Sequence, residues 1–294
     1  MEIKRGKKFV CLMSGALIGE TVISHPLTGN IGNDLLGGLC GGFSAAVLAL
    51  ITKWLVEKYR TSTFKNKRIT DSFLLISIIV ISVCTAFVCS LAFSKYAAKV
   101  MLDIKSLILP LISFLALALF VLRGREELLL KLGTLLFPLA AVFMLAVFAF
   151  SVGYIQPKYL ALYRTPELAG FFSSFISVGG SLYAAFIPLL FIGRQMKKRH
   201  FVYGFLFGGG LVLLALVNTL GIFGAEFAAT LSFPYSYAVS TASMGKIFSR
   251  MDPFLYAAAF FTCLLKVAAC LLAAYLAIKK LITEIFLEKN KLSY

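Results

Sequence analysis

Gly15-Ala-Leu-Ile-Gly-Glu-Thr-Val-Ile-Ser-His-Pro26 interrupts the first apolar segment of the chain with a carboxylate, two hydroxyls, an imidazole and a proline. Glu20 is its centre. A charge at membrane depth costs about 3 kcal/mol on insertion scales, so it faces a protein interior or a water-lined cavity and takes a partner. That makes Glu20 a candidate site residue. Gly19 tolerates unusual backbone angles and Pro26 cannot donate to the helix ladder, so together they predict that the helix opens between them. An opened helix offers amides and carbonyls to a ligand.

The composition around that stretch sets the class. Hydrophobic residues make up 60% of the 294-residue chain and the mean hydropathy is +0.91, against about 45–50% apolar residues in soluble domains. The chain therefore reads as an integral membrane protein. At about 20 residues per span it has no room for a sizeable soluble domain, so residues 1–294 are expected to form a single membrane domain. A formal charge of +16 would suggest nucleic acid in a soluble protein. Here Lys and Arg cluster in short loops between apolar runs, where they set topology, and no nucleic acid is expected as a partner. The basic start Met1–Lys8 has the outline of a signal peptide. Glu20 and the lack of a small-x-small cleavage site predict a retained helix instead. Cys11, Cys40, Cys84, Cys89, Cys263 and Cys270 all lie in apolar segments and read as small buried hydrophobes.

Eight apolar segments read as spans: 9–27, 34–56, 72–94, 106–122, 132–153, 170–192, 201–224 and 254–278. The expected fold is thus an all-α polytopic helix bundle. Of the 29 Lys and Arg, 21 fall on one side of this arrangement, 7 on the other, and Lys266 inside a span. That asymmetry predicts an integral membrane location with both termini in the cytoplasm. Gly37, Gly38, Gly41 and Gly42 give the second span two small-xxx-small pairs for close helix packing. The sixth contains Ser173, Ser174, Ser177, Gly179, Gly180 and Ser181, which predicts a second interrupted helix. Residues 225–253 are too polar to span and are read as short interfacial helices outside the membrane, with Pro234 opening one and Gly245 ending it. Tyr235 and Tyr237 suit the headgroup level. Residues 279–294 read as a solvated or interfacial cytoplasmic helix.

Lys266 is the second charge at depth. About twelve residues on either side, at 1.5 Å each, leave it roughly 18 Å from either end of its span, farther than its stem can snorkel. It must face inward. Two opposite midplane charges predict that Glu20 and Lys266 meet directly, through water, or through a bound zwitterion such as an amino acid. The competing reading is a buried ion pair that fixes the register of two helices and binds nothing. With no His/Cys/carboxylate cluster, metal binding is not expected. The absence of a nucleophile elbow, P-loop or metalloprotease helix argues against an enzyme, and no cofactor is implied.

Several short motifs together resemble a known family. Arg123-Gly124, then Glu126, then Leu135-Leu136-Phe137-Pro138 entering a span look like the junction between helices four and five of the membrane-embedded B subunit of bacterial spore germinant receptors. Phe233-Pro234, Gly245, Phe248, Arg250, Asp252 and Phe254 resemble that family's extracellular segment before helix eight. Lys266 matches a lysine of that helix, and Ile18-Gly19 with Pro26 is similar to the family's first-helix break. The family belongs to the amino acid–polyamine–cation transporter superfamily, whose LeuT-like fold pairs two inverted five-helix repeats around a site where helices one and six unwind. The resemblance implies a ligand site lined by Gly19, Glu20, Thr21 and Ser24 from helix one, Ser177, Gly179, Gly180 and Ser181 from helix six, and Lys266 from helix eight. It also implies lipid and other receptor subunits as partners, in a cell membrane or spore inner membrane.

Three features depart from that pattern. The sequence ends after helix eight of the ten-helix plan, Glu20 stands where the family more often has a small or hydroxyl residue, and Ser181 falls near an expected carboxylate. The leading expectation is a receptor subunit that binds a small amino-acid-like molecule. An amino-acid or cation transporter of the same superfamily and a non-binding structural subunit of a membrane complex are the alternatives.

Overall fold

A computed structural model of the chain describes residues 2–24, 27–61, 67–161, 165–193, 195–241 and 252–291. Within these, the side chains of residues 2, 3, 20, 22–24, 59–61, 67–70, 125, 252 and 284–291 are not part of the description. All regular structure among the described residues is helical: α1 (Glu2–Ser24), a π-helical turn (Gly32–Leu36) leading into α2 (Gly37–Thr61), α3 (Lys67–Tyr96) ending in a second π-helical turn (Ala97–Met101), α4 (Ile108–Arg123), α5 (Arg125–Ser151) ending in a 3-10 turn (Val152–Tyr154), the short α6 (Pro157–Leu160), α7 (Leu168–Ile192), α8 (Lys198–Phe223), α9 (Ala225–Thr230), α10 (Pro234–Thr241) and α11 (Asp252–Lys291). The chain is an all-α polytopic membrane bundle. Among the described residues six helical segments are long and apolar enough to cross a bilayer: 32–58, 71–101, 126–154, 168–192, 198–223 and 253–283. The other two expected spans are helices as well. One is the 16-residue α4, about 24 Å long at 1.5 Å per residue; the other is α1, with its basic start and a break at Gly19.

The helices divide into a centre and a rim. Every residue from Leu12 to Gly19 of α1 is buried, and α1 packs against α5, α7, α8 and α11. In α11, 72% of the most apolar stretch is buried, against 28% for the second span and 33% for the α3 and α5 spans. The rim helices therefore turn large apolar side chains outward, among them Phe43, Phe73, Ile108, Leu135 and Leu206. A soluble protein would bury such a surface; hydrocarbon covers it without loss. Cys40 and Cys84 lie on this outer surface, so only Cys89, Cys263 and Cys270 are fully buried as expected, and Cys11 is half-buried. The Cys40 and Cys84 reading failed because a small apolar residue fits lipid as well as core.

Small residues set the helix separations, as expected for membrane packing. A Cβ on Gly41 would lie 2.5 Å from the Phe175 carbonyl oxygen, and one on Gly179 would lie 2.8 Å from that of Gly41, so α2 and α7 touch backbone to backbone. Gly208 of α8 meets the Ser14 carbonyl oxygen of α1 in the same way.

The basic segments share one end of the bundle. There Arg5 of α1 pairs with Glu126 of α5 at 2.6 Å, and Lys198 of α8 and Lys53 of α2 both reach Glu57, at 3.5 and 3.3 Å. Lys53 is almost fully buried and lies 4.9 Å from the centre of the Phe201 ring. Residues 279–291 continue α11 as one uninterrupted helix. At the opposite end α9 and α10 form the expected pair of short helices, with Pro234 opening α10. Gly245 lies outside the described residues.

Candidate functional site: the break in the first helix

The predicted opening of α1 is present at Gly19 alone: residues 20–24 are helical, and His25 and Pro26 lie outside the described residues. Gly19 has φ +29° and ψ −131°, a conformation that divides α1 into two helical pieces and that a residue with a Cβ rarely adopts. Lys266 of α11, with no exposed surface, lies against this break. A Cβ on Gly19 would sit 2.5 Å from Lys266 Cδ, so the lysine stem occupies the volume that a side chain would need. Beyond it, Lys266 Nζ donates to Ser181 Oγ of α7 at 3.5 Å, and Ser181 Oγ lies 2.8 Å from Thr21 Oγ1. One ammonium and two hydroxyls, carried by three helices, thus converge on the opened backbone.

Beside the break lies a cavity of about 30 Å³, lined in part by Thr21, Val178, Val212, Ala215, Thr219 and Tyr235. That volume holds a water or two and is smaller than an amino acid. Thr219 spends its hydroxyl on the Ala215 carbonyl at 2.9 Å, so little polar capacity faces the space. Tyr235 closes the cavity from α10. It is buried rather than set in an aromatic belt, and burial pushes its phenol above the usual range. Pro234 starts α10 and turns Tyr235 inward, whereas Tyr237, half a helical turn on, is exposed.

Of the predicted site residues, Gly19, Thr21, Ser181 and Lys266 come together. The side chains of Glu20 and Ser24 lie outside the described residues, and so does any pairing of Glu20 with Lys266. Ser177 is half-buried one turn before Ser181. Gly179 faces Gly41 of α2, and Gly180 is exposed on the outer surface, so neither points at the break. The second interrupted helix is absent: α7 runs from Leu168 to Ile192 without a non-helical residue. Its glycine and serines are used otherwise, Gly179 for contact with α2 and Ser174 for a hydrogen bond to Asp34 at 2.8 Å. The reading of the sequence missed Val178, Val212, Ala215 and Thr219, whose types carry no chemical signature, and it misplaced Tyr235.

The chain matches no protein-family model and no curated protein.

Proposed function

We propose that the chain is the membrane-embedded B-type subunit of a spore germinant receptor, built on a LeuT-like plan, and that it binds a small amino-acid-like molecule at the break in α1. The observation that carries this reading is the coincidence of the Gly19 break with the buried Lys266 ammonium, Ser181 and Thr21. An ammonium and two hydroxyls beside a break in a helix are chemistry suited to a carboxylate. The resemblance of the short motifs, in order along the chain, supports the same assignment. By the positive-inside pattern the basic end faces the cytoplasm, with both termini there and α9–α10 outside. The cavity is smaller than the ligand, so binding requires the Lys266 stem to withdraw from Gly19 or α10 to lift Tyr235 away.

The test is thermal unfolding of the detergent-purified protein with a panel of amino acids, sugars and nucleosides, for wild type, Glu20→Gln and Lys266→Met. The expected result is that at least one amino acid raises the melting temperature of wild type and not of Lys266→Met. If wild type responds to none and both substitutions merely shift the baseline, ligand binding is lost as an explanation. A second reading, a non-binding subunit in which Lys266 ties α1, α7 and α11 together, is favoured by the small cavity and by the lysine stem filling the break. It predicts that second outcome. Uptake of a stabilising amino acid into vesicles would separate a transporter of the same superfamily from a receptor, and neighbouring reading frames for an A-type membrane subunit and a C-type lipoprotein would support the receptor.

A further inference from the structure

Asp34 reads in sequence only as the polar edge of the second span, yet it has no exposed surface. Its carboxylate is loaded on one side. Oδ1 accepts the Thr28 backbone N–H, the Thr28 hydroxyl and the Ser174 hydroxyl, each at 2.8 Å. Oδ2 is equally buried and has no hydrogen-bond partner among the described residues. Asn30 and Asn33, also buried, stand on the same turn. Their side-chain oxygens accept the Gly32 and Glu167 backbone N–H groups at 2.9 Å, which leaves each oxygen a second lone pair. The backbone here is wound as a π-helix over Gly32–Leu36, a widening often found at functional sites.

We infer that Asp34 Oδ2 is a ligand of a monovalent-cation site at this end of the bundle, completed by neutral oxygens of the 28–34 turn. A buried carboxylate oxygen is costly to leave without a donor or a cation. A single positive charge neutralises this single carboxylate. A divalent ion takes six to eight oxygens and usually several carboxylates, and no group of three His, Cys, Asp or Glu is found among the described residues. Among the described residues the charged groups nearby are peripheral. Glu167 contributes its backbone and is exposed. Lys158 and Glu226 line an open depression of about 270 Å³ together with Gly29 and Ile31, and Lys158 stacks on Tyr159. That depression brings solvent, and with it cations, to the outer side of the turn. The site is separate from the α1 break and does not depend on what binds there.

The test compares sodium, potassium and lithium chloride with choline chloride at equal ionic strength. Thermal unfolding of wild type in detergent is expected to shift upward by about 2–4 °C in one of the alkali salts. Asp34→Asn, which keeps the shape but removes the charge, is expected to abolish the difference. Hydrogen exchange on wild type alone is the second measurement, and amides of residues 28–36 are expected to slow in that salt. Equal melting and equal exchange in all four salts overturn the site. So does stabilisation that follows falling pH regardless of the cation, which would assign Oδ2 to a proton. A salt response that survives in a folded Asp34→Asn protein would place the ion elsewhere and also overturns it.

Discussion

α1 and α7 carry glycine and hydroxyl residues at mid-membrane in similar density, yet one helix is broken and the other is not. In α1 the chain leaves helical geometry at Gly19, and Lys266 of α11 fills the space. In α7 the glycine at 179 faces another glycine, Gly41, and the helix is continuous. The difference teaches that a glycine permits a break without causing one. What decides is the neighbour: a long polar side chain that can enter the gap in the first case, a second backbone that needs close approach in the second. Freed amides and carbonyls cost too much in hydrocarbon to persist without partners. The break coincides with the place where Lys266, Ser181 and Thr21 come together.

Substitutions can break that contrast. The largest effect is expected for Gly41→Leu, because the first obstacles to its Cβ are backbone atoms of Phe175 and Gly179, which cannot rotate away. A loss of about 3 kcal/mol or more, seen as a collapse in the yield of monodisperse protein, is the expected outcome. A normal yield with an unchanged melting temperature would mean that α2 and α7 are not in backbone contact. Gly19→Ala comes next. It combines an unfavourable backbone conformation with collision against Lys266 Cδ, for about 2–3 kcal/mol in thermal or denaturant unfolding.

The double variant Gly19→Ala with Lys266→Ala sharpens the comparison. Shortening the lysine removes the collision but not the backbone strain, so the double change should cost about 1 kcal/mol less than the sum of the single ones. Strict additivity would show that the lysine stem does not occupy the break. The smallest effect is expected for Gly180→Ala. Gly180 is helical and exposed on the outer surface, so alanine should stabilise by about 0.5–1 kcal/mol through helix propensity and the unfolded state. A marked loss there would return Gly180 to an interior role.

Much of the bundle was legible in the chain because its signals are additive and local. Hydrophobic length marked eight segments that are all helical, six of them long and apolar enough to cross a bilayer among the described residues, and the small-xxx-small pairs marked α2 as a close-packing helix. The mid-span position of Lys266 required it to face inward, since no lysine stem covers roughly 18 Å. The Gly19 opening was legible because the residues following it are polar in a segment otherwise apolar. The cavity wall was not. Val178, Val212 and Ala215 are indistinguishable in sequence from residues that face lipid, and in this protein both surfaces are apolar. Tyr235 was misread for the same reason, because an amphipathic ring suits a headgroup layer and a cavity roof equally well. Asp34 was passed over because a carboxylate at the start of a span ordinarily touches water, and only the Thr28 turn and Ser174 enclose it.

The sequence by itself determined a polytopic helical membrane protein, its long apolar helices, its basic end, and two places at which charge or broken backbone had to be reconciled with hydrocarbon. Tertiary structure alone decided which serines and glycines met the lysine, which met another helix, and which faced outward. Helix formation and membrane burial depend on each segment's own composition, whereas a break, a cavity or an enclosed carboxylate depends on what a distant segment places within a few ångströms. In a chain whose inside and outside are equally apolar, no local pattern carries that information.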